Sequence, residues 1–296
     1  MPLLHTVAQG LSADDMVRGV IEEFIQDEAL FALLPYLPTD GKAYVYNREK
    51  TLATGNWLDT NEEVKEGASE FQEVTTNLRI LIGDVDVDKF IQTTMSNVNN
   101  QKAIQIASKV KGMAGQFKDA LINGNTANKQ FDGIARLVVA DRIIGAGEKP
   151  LALSMLDELK DAVKLGATAI MMRGEHIRIY KQLMRTFGGN TGLMMQIDNF
   201  GKQVLSFDGV PILTNEFIQK RANTAGNGFV ADIFAVRCNE SDGLHGLYSQ
   251  NSPAGFVIED LGTVQNKDAT RTRIKQYTGL ALKATHSLAK VGDVAL

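Results

Sequence analysis

The alternation of apolar and polar positions gives its clearest helical signal over residues 99–123. Ala103, Ala107, Val110, Ala114, Phe117 and Leu121 recur in steps of four and three, which puts them on one face. Lys102, Lys109, Lys111, Gln116 and Lys118 fall on or near the other side. Gly112 and Gly115 each weaken such a helix by roughly 1 kcal/mol relative to alanine. Asn123-Gly124 predicts a left-handed C-terminal cap. A polar loop, 125–130, follows, and then an apolar restart at Phe131-Asp132-Gly133-Ile134. Taken alone, the segment reads as a surface helix lying on a core.

Ahead of it, Ser12 can cap a helix whose first turn holds Asp14 and Asp15 and whose stripe is Met16, Val17, Val20, Ile21 and Phe24. That helix fades before Pro35, and Pro38 with Asp40-Gly41 marks a turn. Tyr44-Val45-Tyr46 and residues 78–82 read as strands. Between them runs a long polar stretch with the sole tryptophan, Trp57, and the acids Asp59, Glu62, Glu63 and Glu66. A connection of that length is unusual inside a compact domain, and it predicts a two-stranded hairpin that projects and binds something. Residues 86–98 read as a short helix with Val87, Phe90, Ile91 and Met95 in phase. The phase slips across Asn97, Asn99 and Asn100, so a break is expected there.

After Phe131 the pattern alternates between helix and strand. Helices are expected over 151–165 (Leu153, Leu156, Leu159, Val163) and 176–187, the latter ended by Gly188-Gly189. Strands are expected over 169–172, 210–213 and 233–236. The result is a mixed α/β domain of roughly 120 residues. Residues 255–264 and 272–283, joined by Asn266-Lys267-Asp268, form a second large hairpin. In its second strand Ile274, Leu280 and Leu282 share one face, and Arg273 and Lys275 point the other way.

Composition narrows the function. A net charge of −4 over 296 residues leaves no basic footprint of a nucleic-acid binder. One cysteine, Cys238, excludes an internal disulfide framework. No apolar run reaches membrane-spanning length, and residues 1–15 lack a secretory pattern. His5, His176, His245 and His286 show no metal-ligand spacing. Asp84, Asp86 and Asp88 imitate the start of a calcium loop, but Lys89 stands where glycine is needed and Met95 where the closing acid is needed. Gly145-Ala146-Gly147 lacks the third glycine of a phosphate cradle, and Met171, Met172, Met194 and Met195 read as core filler. Catalytic, metal and cofactor sites are therefore expected to be absent, and the chain reads as a protein whose product is its own assembly.

At this point the ordered set of motifs resembles a known family, the major capsid proteins of tailed bacteriophages with the Hong Kong 97 fold. The most specific part is Leu121-Ile122-Asn123-Gly124, the polar loop, and Phe131-Asp132-Gly133-Ile134, with Ile134 where the family usually has leucine. Arg271-Thr272-Arg273 and Tyr277-Thr278-Gly279-Leu280 resemble its long strands. The resemblance implies an α+β fold of four parts: an N-arm (1–40), an extended E-loop hairpin (41–83), a peripheral P-domain with a spine helix (84–131 and 255–286), and an α/β axial A-domain (132–254 and 287–296).

What the resemblance implies about function is structural and non-catalytic: pentamers and hexamers of an icosahedral shell around double-stranded DNA, held without sequence-specific binding. The helix expected at Ser12 begins too near Met1 for a self-scaffolding extension, so a separate scaffolding protein is implied, with a portal and decoration proteins as further partners. The place implied is the virion capsid, after assembly in the host cytoplasm. Each E-loop would lie on a neighbour's P-domain, with Trp57, Asp59, Glu62, Glu63 and Glu66 meeting Arg271, Arg273 and Lys275. Asn97, Asn99, Asn100, Gly112 and Gly115 are the expected hinge. Lys50 and Lys65 lie in the E-loop, but no motif identifies a crosslinking acceptor. Two readings stand beside this one: an encapsulin-like compartment holding a cargo protein, and an α/β enzyme with its site in 131–251.

Overall fold

The computed structural model describes residues 30, 33–51, 55, 57–60, 63, 70–90, 98–186, 194–197, 202–226, 228–251 and 255–296. The helix expected at Ser12 and the glycine pair Gly188-Gly189 lie outside them. In chain order the strands and helices are β1 (Tyr36–Thr39), β2 (Ala43–Thr51), β3 (Glu70–Asn77), β4 (Arg79–Asp88), α1 (Val98–Asn123), α2 (Ile134–Leu137), β5 (Ile143–Gly145), α3 (Leu153–Ala162), β6 (Ala169–Met172), α4 (Gly174–Thr186), β7 (Met194–Ile197), β8 (Lys202–Phe207), β9 (Val210–Thr214), β10 (Lys220–Ala222), β11 (Phe229–Val236), β12 (Leu244–Ser249), β13 (Phe256–Thr263), β14 (Ala269–Leu282) and β15 (Leu288–Ala295).

Two main sheets and one separate hairpin result. The first sheet runs β1-β12-β14-β13, with β4 also paired to β14. The second runs β5-β15-β11-β6-β9-β8-β7, with β10 on β11. Among the described residues β2 and β3 pair only with each other. Strand β14 follows the two-residue period of a half-buried strand. Thr272, Ile274, Gln276 and Thr278 are buried, and Arg271, Arg273, Lys275 and Tyr277 between them are partly exposed. Helix α1 contributes Ile106, Val110, Met113, Phe117 and Ala120 to the same core as Ile274, Val85 and Val87. The second sheet is apolar on both faces, as a sheet covered on both sides must be. Ile170 and Met172 of β6 pack with Leu156, Leu159 and Tyr180 of the covering helices. Ala169 and Met171 between them join the core under α1.

Several expectations need correction. The buried stripe of α1 runs through Ile106 and Met113, and Ala107 is exposed. Alanine is too small to decide a helix face, and the larger Ile106 and Met113 turn it by one position. The hairpin that starts at Tyr44 closes on Glu70–Asn77, from Ala43↔Asn77 to Thr51↔Glu70. Of residues 78–82, expected as its return strand, 79–82 begin β4 and pair with β14. Asp86 and Val87, expected to open a helix, are still strand, and of residues 91–97 nothing is described. Leu244–Ser249, inside the span expected for the α/β domain, joins the first sheet through β14.

The stop after α1 also works differently from the expected cap. Gly124 is not among the left-handed glycines. It is needed because two backbone segments meet there. A side chain on Gly124 would overlap the carbonyl oxygens of Ala120 and Phe131, and one on Gly133 would lie 2.6 Å from the Ile122 oxygen. The two glycines are joined directly, with Gly133 N–H donating to the Gly124 oxygen at 3.0 Å. The Asn123 amide ties the helix end to the Phe217 carbonyl at 2.7 Å.

Gly133→Ala is expected to destabilise the subunit by about 2 kcal/mol or more through overpacking. Gly112→Ala meets open space and is expected to stabilise it by about 1 kcal/mol. Urea midpoints of the unassembled subunits check both. Equal midpoints would mean that the glycine clasp bears no strain.

Candidate assembly interface

A two-stranded hairpin alone is marginal in water, so β2–β3 needs an anchor. Its base is fixed to the last residues of β14 and the lysine after it. Tyr46 Oη donates to the Leu282 oxygen at 2.6 Å. Arg48 donates through Nε to the Lys283 oxygen at 2.8 Å and through Nη2 to the Leu282 oxygen at 2.6 Å. The guanidinium also sits 5.9 Å from the Tyr46 ring centre. Tyr44 meets buried His245 edge-on at 5.7 Å, and burial pushes that imidazole down to about 4. Burial raises the Tyr46 hydroxyl, with Arg48 working against it. At neutral pH the anchor is therefore a neutral histidine, two tyrosines and one arginine.

Away from the anchor the described residues of the hairpin are solvated. Val45 and Phe71 are more than half exposed, and Trp57 is fully exposed at 103%. Asp59 and Glu63 share this exposed stretch, and Glu62 and Glu66 lie outside the described residues.

Arg271, Arg273 and Lys275 share the outer face of the first sheet, but each already has an acid of its own chain. Arg271 grips Asp86 with two bonds of 2.6 and 2.7 Å. Arg273 grips Asp84 at 2.7 and 2.8 Å. Lys275 Nζ donates to Glu259 at 2.7 Å. The cross-strand registers Arg271↔Asp86 and Arg273↔Asp84 put these groups directly opposite each other. The bidentate arginines hold both aspartates below the usual carboxylate range. Among the described residues of one chain, then, Asp59 and Glu63 are not brought to Arg271, Arg273 or Lys275.

Of the expected hinge, Asn99 and Asn100 lie in the first turn of α1, Gly112 and Gly115 lie inside it, and Asn97 is outside the described residues. Reading the pattern missed the ladder acids. The signal was present as two carboxylates two apart, Asp84 and Asp86, matching two arginines two apart, Arg271 and Arg273. It also missed Tyr46 and Arg48, whose partners are backbone carbonyls and carry no side-chain signature.

The remaining candidate chemistry is quiet. Burial pushes the Cys238 thiol up to about 12, the wrong direction for a nucleophile. Lys220, with Arg173, holds Glu175 down to about 2. Among the described residues no cluster of His, Cys, Asp and Glu could hold a metal ion, and no helix is long and apolar enough to cross a membrane.

The sequence model of the phage capsid family matches residues 9–292. The chain belongs to the phage capsid family. Solved structures that resemble this capsid-family chain share its fold at low identity. The holo-SrpI encapsulin complex from Synechococcus elongatus PCC 7942 aligns at a TM-score of 0.73 and 20% identity, covering 90% of this chain and 87% of that one. The capsid of a native GTA particle aligns at 0.61 and 14% identity, covering 90% of each chain. A chain from Mycobacterium phage Adephagia aligns at 0.59 and 10%, covering 91% and 89%. A search of curated protein sequences finds no match. The fold of this capsid-family protein is the mixed α+β, Hong Kong 97-like one, and it is a capsid shell protein.

Two predictions follow from the interface geometry. In the ladder, Asp84 and Asp86 have folded pKa values below the unfolded value of about 4. Their contribution is therefore full above that value and is lost as pH falls through the depressed folded values. The melting temperature should drop below about pH 4, and Asp84→Asn with Asp86→Asn should flatten that drop. An unchanged acid profile in the double variant would assign it to other carboxylates, such as Glu175. At the anchor, Tyr46→Phe with Arg48→Leu should speed amide exchange in β2 and β3 at least about tenfold while sparing β14. Uniform acceleration across the chain would refute a local anchor.

Proposed function

We propose that this protein is the major capsid protein of a tailed phage, forming pentamers and hexamers of an icosahedral shell around double-stranded DNA. The observation that carries the reading is the anchored, solvated hairpin on a capsid-family fold. The open outer edges of its two strands and the exposed Trp57 gain stability against another copy. In this reading residues 1–40 are the N-arm and 41–83 the E-loop. The first sheet with α1 is the P-domain, and the second sheet with its helices is the A-domain. A scaffolding protein, a portal and decoration proteins are its partners, and a net charge of −4 suits a container that does not grip its contents. The role is structural.

Contacts from Trp57, Asp59, Glu62, Glu63 and Glu66 to Arg271, Arg273 and Lys275 of the next copy belong to this proposal. Because those bases are matched in their own chain, exposed pairs there add under about 1 kcal/mol each. Asn97 to Asn100, or Gly112 with Gly115, form the joint that bends if the shell changes shape.

A second reading, an encapsulin-like compartment around a cargo protein, is favoured by the TM-score of 0.73 to an encapsulin. Expression of the chain alone, followed by electron microscopy, separates the two. A phage shell protein should give uniform closed particles only with its scaffolding protein. Uniform closed particles from the chain alone would favour the compartment. A monomer under both conditions would defeat both readings.

A further inference from the structure

The same pair of chain segments runs through both main sheets. β11 pairs with β15 in the second sheet, ending at Val236↔Leu288, and β12 pairs with β14 in the first, ending at Leu244↔Leu282. Residues 237–243 and 283–287 carry the pair across. The crossing is tightly bonded. Arg237 N–H donates to the Ser287 oxygen at 2.9 Å, Lys283 N–H to the Gly243 oxygen at 3.3 Å and Ala284 N–H to the Asp242 oxygen at 3.2 Å. Buried Ser287 adds its hydroxyl to the Asp242 oxygen at 2.7 Å. A side chain on Gly243 would lie 2.5 Å from the Arg237 oxygen and 2.6 Å from the Asn239 nitrogen. Backbone packed this closely has no slack, so it shifts as a unit.

Each end of the crossing holds something outside it. On the side of the first sheet, Arg48 of the hairpin donates to the Lys283 oxygen. Tyr44 lies against His245, whose Nδ1 is 3.3 Å from the Gly243 oxygen. On the side of the second sheet, Arg237 Nε donates to Asp242 Oδ1 at 3.3 Å. Its Nη1 reaches the Leu165 oxygen at 2.6 Å and the Gly166 oxygen at 3.4 Å. Leu165 and Gly166 lie in the turn between α3 and β6, and both are left-handed, at φ 71° and 88°. That region is uncommon for a side chain such as leucine and persists only where the surroundings enforce it. The Leu165 side chain is 68% exposed, so its burial does not enforce the turn, and Arg237 is the tie that fixes the turn to the crossing.

We propose that Asp242, between Lys283 and Arg237, couples the hairpin to the Leu165 turn. The docked hairpin and the held turn form one state, and the loose hairpin and the loose turn form the other. When Arg48 leaves the Lys283 oxygen, residues 283–287 shift against Asp242, and Arg237 loses the position from which it holds the turn. Independent ties would need slack between them, and the close approach at Gly243 leaves none. Coupling of this kind is reciprocal, so a partner that displaces the Leu165 turn loosens the hairpin by the same factor. The coupling is internal to one copy. It therefore goes beyond the shell reading and stands whichever particle the chain forms.

Amide exchange in full-length, unassembled subunits tests it. Gly166 N–H is bonded to the Val163 oxygen and Thr168 N–H to the Val236 oxygen. Arg48→Leu should speed exchange of both amides at least about fivefold, although Arg48 donates to neither residue's partner. Arg237→Gln should speed exchange in β2 and β3 by a similar factor. In the double variant the two effects should fall short of multiplying. The amides of β9 should keep their rates in all three variants. Effects confined to the end that carries the substitution overturn the coupling, as do effects that multiply in the double variant or acceleration that reaches β9 equally. Should Arg237→Gln fail to fold, Arg48→Leu decides alone, and unchanged exchange at Gly166 and Thr168 overturns the coupling. The shell reading stands under every one of these outcomes.

Discussion

Strand β14 is the constraint on which the other parts depend. It is 14 residues long and pairs with β4, β12 and β13. Because successive side chains in a strand face opposite ways, one sequence has to satisfy two environments at once. Ile274 and Leu280 close the core with α1, while Arg271 and Arg273 order the outer face through Asp86 and Asp84. The carbonyl of its last residue, Leu282, and that of Lys283 then hold the hairpin. A register slip of one residue would exchange the two faces, expose Ile274 and bury two guanidinium groups.

Most elements whose apolar positions meet one core were legible in the sequence. Helix α1 ends at Asn123 as its pattern says, and 169–172 is fully buried, as an uninterrupted apolar run implies. Elements solvated on both faces were not legible. β3 reads Glu-Phe-Gln-Glu-Val-Thr-Thr-Asn, and without a buried face it has no alternation to detect. The pattern therefore points to the apolar strand that follows it as the hairpin's return. The short apolar run of β12 says that it is buried without saying beside what, so the pattern does not reveal its pairing with β14.

The candidate interface was half legible. Trp57 and its acids stand out because an aromatic in a long polar stretch needs a reason. Arg271 and Arg273 stand out as bases alternating with apolar residues. What charge counting could not see is that Asp84 and Asp86, 185 or more residues away in sequence, neutralise them.

The hairpin's connection to the body also has a mechanical meaning. Leu78 alone separates β3 from β4, so tension applied to the hairpin passes along the chain into a strand bonded to β14 over ten residues, from Arg79↔Thr278 to Asp88↔Ala269. A pull along that strand loads the whole ladder in shear, with many hydrogen bonds resisting together, instead of peeling it open one bond at a time. A wall built from such units would meet outward pressure with its most extensive bonded surface.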